Sequence, residues 1–311
     1  MTRRVTRLTV LMLLASGSMV ATGCGSIVAA QSANGLGVVR AVGAESQYAN
    51  VIAQIGGRYV SVTDIINNPN LDPHTYEASP RDAIAVAKAT LIVQNGVGYD
   101  SFMDNLESAS PDSGRVVINV GKALGYGATI KNPHLWYSPQ TMPVAARLID
   151  QALTKQMPAH RAYFSSRLAT FDQSLNAWHE ALTRVKRGYG RAPVAVTEPV
   201  ADYLLAAAGL TIKTPWAFQA AIMNGTDPSP QDVQIEEDLL RHNRVKVFVY
   251  NQQAVDSTTS ALLAVARKHQ VPVVGVYETM PSGYSYQGWM TVEVKALEDA
   301  LQSGKSTVKL P

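Results

Sequence analysis

The sequence predicts an α/β protein of two lobes with mostly parallel sheets, joined by a long connecting helix. Three observations predict it. Short β-branched runs alternate with helix-like segments before residue 155, the same alternation returns after Pro193, and a sustained apolar stripe lies between. At 311 residues the chain is long enough for two such lobes.

Taken in order, Arg3, Arg4 and Arg7 precede an apolar stretch from Leu8 to Val20, followed by Ala21-Thr22-Gly23-Cys24. A charged start, a short apolar core and small residues at a cleavage point make residues 1–23 a secretory signal. Cys24 is the chain's one cysteine, so no intrachain disulfide forms, and its place after the small residues resembles a bacterial lipobox. Cys24 is therefore the expected lipidation site, and residues 24–35 the tether of a lipid-anchored protein. Loss of residues 1–23 removes three of 27 cations and no acid, leaving 24 against 24. The mature chain is formally neutral, which excludes the basic footprint of a nucleic-acid-binding protein.

Residues 36–155 are expected to form the N-terminal lobe. Its predicted strands are Val38–Val42, Val60–Ile66, Leu91–Gln94 and Val116–Val120, with helices over Gln47–Ile55 and Pro80–Ala89. Residues 156–190 are expected to form the connecting helix. Phe164, Leu168, Phe171, Leu175, Trp178, Leu182 and Val185 alternate in steps of four and three, with Pro158 at the start and Gly188-Tyr189-Gly190 at the end. Residues 191–311 make the second lobe. Strands are expected at Val194–Thr197, Val245–Tyr250 and Val271–Val276, and helices at Pro230–His242 and Thr258–His269.

Asp72-Pro73-His74 and Asn132-Pro133-His134 place two histidines directly after prolines. Proline fixes its own φ and biases its predecessor to extended backbone, so each imidazole is carried on a stiffened segment. Neutral imidazole is the commonest protein metal ligand. The second half offers two carboxylates at strand ends: Glu198, followed by Pro199, and Glu278, followed by Thr279. Either alone fits a cap or a salt bridge equally well. Together, His74, His134, Glu198 and Glu278 make a nitrogen–oxygen shell suited to zinc, manganese or iron, and not to copper(I), which prefers sulfur. His160, His179, His242 and His269 fall on helices without a second ligand in register and read as surface or packing residues. Asn251-Gln252-Gln253 is placed to orient ligands, and Tyr76, Trp136 and Tyr137 fit either packing around the site or filling the interface between the lobes. Tyr284-Ser285-Tyr286 and Trp289 fit either a mobile aromatic loop or a packed turn.

Four motifs in order resemble the zinc/manganese substrate-binding lipoproteins of bacterial ABC transporters. They are Val62–Ile66 through Glu77 and on to Ala89–Gly96, Asn132–Trp136, Thr197–Leu204 with Ala208-Gly209-Leu210, and Glu278 before Thr279. The likeness spans nearly all of the mature chain. Asparagine stands at 132 where that family usually has aspartate, and Glu278 takes the place of a residue that is commonly aspartate. The resemblance implies one divalent metal ion, manganese or zinc, held between the lobes by the four residues above. It implies a receptor anchored at the cell membrane that delivers the ion to a membrane permease, and no enzymatic activity. A monomer is expected. Zinc-directed members often carry a long histidine-rich loop after the first motif, and residues 96–131 contain no histidine. Two other readings are a metal-dependent hydrolase using the same site and a surface adhesin; the chain has no H-E-x-x-H, G-x-S-x-G or P-loop motif to support catalysis.

Overall fold

A computed structural model describes residues 37–70 and 72–310. The signal, Cys24 and the tether lie outside the described residues. No described helix is long and apolar enough to cross a membrane.

The first sheet is built from β1 (Val39–Glu45), β2 (Val60–Ile66), β3 (Leu91–Gln94) and β4 (Val116–Asn119). The strands lie in the order β2-β1-β3-β4, all parallel. β3 is buried along its whole length, as a four-residue apolar run covered on both faces must be. β1 runs past the expected Val42 because Glu45 still pairs with Ile66, although Gly43-Ala44-Glu45 carries no β-branched signal. Around the sheet pack α1 (Ser46–Gly56), α2 (Pro80–Lys88), α3 (Phe102–Ala109), the single turn α4 (Val120–Ala123) and α5 (Thr141–Gln156). The start of α2 is set locally: Ser79 and Asp82 cap each other's backbone N–H groups, and Pro80 occupies the first turn, where no N–H is needed.

The connecting helix departs from a single unbroken rod. Pro158 opens a 3-10 turn (Pro158–His160), and the α-helix proper runs as α6 (Arg161–Ser174) and α7 (Asn176–Tyr189) with one interrupted position at Leu175. Leu175 keeps helical dihedrals and its carbonyl still accepts from His179, so the direction is carried through. The apolar stripe is buried as expected, with Leu168 only partly covered. Its first half packs on α1 and α5, its second on the last helix of the chain. Each large side chain so buried contributes about 1.5–3 kcal/mol of gross hydrophobic stabilisation.

The second sheet repeats the first. β5 (Pro193–Val196), β6 (Thr211–Ile212), β7 (Val247–Asn251) and β8 (Val273–Val276) lie in the order β6-β5-β7-β8, again all parallel. Its helices are α8 (Asp202–Ala207), α9 (Trp216–Met223), α10 (Pro230–Arg241), α11 (Ser257–Lys268) and α12 (Tyr286–Ser303). α12 starts inside the aromatic segment read as a mobile loop or packed turn: Ser285 caps it, and Tyr286 and Trp289 are fully buried. Gly275 has no space for a Cβ against the Val308 carbonyl, which lets the C-terminal segment lie beside β8, where Thr307 bridges Val274. In both sheets the strand order reverses beside the first strand, and ligands of open α/β sheets gather beyond the strand ends at such a switch point.

Candidate metal centre

Each Pro-His step is a small turn closed by the residue two positions earlier. Asp72 Oδ1 accepts from the His74 N–H at 2.8 Å, and Asn132 Oδ1 from the His134 N–H at 3.0 Å. The shared Asx-Pro-His pattern is the sequence signal for both. Asn132 does more. The same Oδ1 lies 2.8 Å from His134 Nδ1, while its Nδ2 donates to the Pro199 carbonyl at 2.7 Å. The amide is thereby fixed, Nδ1 carries the proton, and Nε2 of His134 is left facing the site.

Both imidazoles converge on one carboxylate oxygen. His74 Nε2 and His134 Nε2 each lie 3.1 Å from Glu278 Oε2. Glu278 follows β8 and is buried, His134 is fully buried, and the His74 side chain is 21% exposed. Among the described residues, these three form the group whose potential ligand atoms all lie within 4.8 Å of one another. Glu198 does not meet that spacing. It is linked to the group through Asn251 at the end of β7, whose Nδ2 donates to Glu278 Oε1 at 2.8 Å and also to Glu198 Oε1. Glu198 Oε2 is buried and has no hydrogen-bond partner. Asn251 is oriented in turn by the Gln253 N–H, which donates to its Oδ1 at 3.0 Å. The Gln253 side-chain oxygen accepts from the Glu278 and Thr279 N–H groups at 2.6 and 2.8 Å.

The charges follow from this packing. Burial opposes a charge on Glu278, but the two imidazoles outweigh it and hold its carboxyl below the usual range. Burial likewise opposes a charge on His74, and the Glu278 carboxylate overrides it, raising the imidazole to about 9. His134 is pushed down by burial. Glu198 is raised well above the ordinary value, by burial first and by Glu278 second. At neutral pH this places a proton on His74, where a divalent cation would take over the positive charge.

Tyr99 is the contact that sequence reasoning missed. Its hydroxyl donates to Glu278 Oε2 at 3.1 Å, and its ring meets His74, His134 and Trp136 edge-on at 5.3, 5.7 and 4.9 Å. Nothing in Gly98-Tyr99-Asp100 announces this. Trp136 packs on His134 at 5.4 Å, as expected of it. Tyr76 instead hydrogen-bonds Asp82 and packs on Phe102, away from the imidazoles. Tyr137 hydrogen-bonds the Tyr277 carbonyl and Glu293 Oε2, both at 2.8 Å, and so ties the His134 segment to the backbone beside Glu278. The other histidines are spectators: His160 stacks on Tyr59, His179 lies beside Trp178, His242 faces Asp238, and His269 ends α11.

The family described as zinc-uptake complex component A, periplasmic (ZnuA), matches residues 42–300. The chain belongs to that family. Among the relatives of this ZnuA-family chain, the manganese-binding lipoprotein MntA of Bacillus subtilis (strain 168) is 24% identical over 302 residues, 90% of this chain and 95% of the relative. The iron-binding protein YfeA of Yersinia pestis is 24% identical over 214 residues, 66% of each chain. The periplasmic zinc-binding protein TroA from Treponema pallidum superposes with a TM-score of 0.72 at 17% identity, covering 86% of this chain and all of that one. At that identity the superposition speaks for the fold: two α/β lobes, as the sequence predicted. The metals named for these relatives differ, so ZnuA membership alone does not choose among them.

Proposed function

We propose that the chain is the substrate-binding component of a metal ABC importer. It captures a divalent manganese or zinc ion outside the cytoplasm and passes it to a membrane permease. His74, His134 and Glu278 are the proposed core of the site, with Glu198 as the fourth ligand. The lobe boundaries proposed from sequence, 36–155 and 191–311, put the two histidines on one lobe and the two carboxylates on the other. Lipidation at Cys24 holds the receptor at the membrane, and the receptor acts as a monomer.

The observation that carries this reading is the convergence of both Nε2 atoms on Glu278 Oε2, in a buried setting that joins segments far apart in sequence. Two imidazoles and two carboxylates match the charge of a divalent ion. Membership of an uptake family, together with a cluster closed by its own protein groups, decides against the hydrolase. The test is elemental analysis of the protein purified from its native host under metal-replete conditions. About one manganese or zinc ion per chain, as a single cluster of ligands implies, supports the reading; a metal-free protein that also takes up neither ion on dialysis contradicts it.

A further inference from the structure

We infer that the first turn of α1, Ser46-Gln47-Tyr48, is the positioning element that sets the spacing between His134 and Glu278. Gln47 and Ser46 hold the Glu278 segment, and Tyr48 holds the His134 step. This rests on the metal-receptor reading above.

α1 directly follows β1 of the first sheet, whereas Glu278 follows β8 of the second. Neutral polar side chains join them. Gln47 Nε2 donates to the Glu278 carbonyl at 3.3 Å, and the Met280 N–H donates to Ser46 Oγ at 3.2 Å. Ser46 Oγ in turn donates to Gln47 Oε1 at 3.4 Å. The backbone on both sides of Thr279 is thus held by two adjacent side chains, themselves linked. Ser46 and Gln47 are buried, so water offers no ready substitute for these bonds. The same helix face continues the contact one and two turns on. Asn50 Oδ1 accepts from the Tyr286 N–H at 3.0 Å, and the Gln54 and Gln287 amides exchange bonds of 3.0 and 2.9 Å.

Tyr48 reaches the other ligand segment. Its hydroxyl donates to Asn95 Oδ1 at 2.7 Å, and Asn95 Nδ2 donates to the Pro133 carbonyl at 2.9 Å. Pro133 directly precedes His134, and both Tyr48 and Asn95 are fully buried. Three consecutive residues therefore tie down the backbone beside an imidazole and the backbone of the carboxylate it faces. Gln253 fixes Glu278 relative to the second sheet, through the Glu278 and Thr279 N–H groups. Gln47 and Ser46 fix it relative to the first. A metal ion demands set bond lengths, so a carboxylate free to drift against the imidazoles binds it less tightly.

The test is a double-mutant cycle on the full mature chain, with parent, Gln47→Ala, Glu278→Ala and the double variant titrated with zinc and with manganese. In the parent background, Gln47→Ala should weaken binding by about tenfold or more, the size usual for loss of a group that orients a ligand. In the Glu278→Ala background it should change Kd by less than about twofold, because the carboxylate it positions is gone. A role confined to stability would carry the same factor through both backgrounds. Ser46→Ala, which removes a single hydroxyl, is read in the same cycle and decides the matter should Gln47→Ala not fold. Unchanged affinity, or an equal loss in both backgrounds, overturns the inference and leaves the receptor reading intact. Binding of neither ion by the parent overturns both.

Discussion

Asn132 and His134 are joined twice within one turn: a single Asn132 oxygen accepts from the His134 backbone N–H at 3.0 Å and lies 2.8 Å from its Nδ1. The backbone bond sets the position of the ring and the side-chain bond sets its tautomer. Asn132→Ala should lower metal affinity by about 10- to 100-fold with little loss of fold, since it frees the ring without removing it. Calorimetric titration alongside thermal unfolding separates the two effects. Unchanged affinity would mean that packing against Trp136 alone holds the imidazole.

Metal uptake should release protons. With His74 raised to about 9, its imidazole carries a proton at pH 7 that a metal must displace, and burial of Glu198 shifts that carboxyl in the same direction. Affinity should therefore climb with pH up to about 9, well past the ordinary histidine value of 6.5. Titrations in buffers of different ionisation enthalpy should count at least about one proton per ion at pH 7, the one held by His74. The metal-free protein shows the complementary sign. The raised His74 stabilises it fully below 6.5, and that contribution is lost as pH rises through about 9.

Glu236 gives a pH effect remote from the site. It is fully buried, accepts from Thr214 Oγ1 at 3.2 Å, and has a second oxygen without a partner. Burial raises its carboxyl to about 8 from 4.5. The folded state keeps this proton where the unfolded chain loses it, so the contribution to stability is full below pH 4.5 and declines as pH rises towards 8. Glu236→Gln should remove that decline, and by pH 8 should be more stable than the parent, relative to pH 4.5, by up to about 5 kcal/mol. Urea unfolding at both pH values checks it; parallel pH profiles for the two proteins would refute it.

Tyr137 tests the tie between the His134 segment and the backbone beside Glu278. Tyr137→Phe leaves the ring but deprives the Tyr277 carbonyl and Glu293 Oε2 of their shared donor. Denaturant unfolding should show a loss of about 1–3 kcal/mol, the cost of buried acceptors left unpaired. Metal affinity should fall with it, because Tyr277 immediately precedes Glu278.

The sequence and the structure part company in a consistent way. β3 and β7 were legible because buried parallel strands are continuous apolar runs, and α2 because Ser79-Pro80 and Asp82 spell its cap. β6 was not, since two residues, Thr211–Ile212, carry no period. α12 was hidden because its first turn is aromatic and buried, where helical spacing and a packed loop look alike. At the site, the meeting of His74, His134 and Glu278 was readable from prolines and a strand end, whereas Glu198 is set apart from them and linked through Asn251. Tyr99 was not, because its hydroxyl reaches Glu278 from 179 residues away and only the folded chain shows it. The Glu45–Asp100 pair escaped for the same reason: two acids 55 positions apart are buried side by side, burial raising both carboxyls and Asp100 raising Glu45 further.

The most direct test of the account is calorimetric titration of zinc and manganese into metal-stripped parent, His74→Ala and Glu278→Ala proteins. The account predicts about one ion per parent chain and at least a hundredfold weaker binding in each variant, as loss of one of four ligands requires. Parent-like affinity in both variants, with the fold retained, would contradict it.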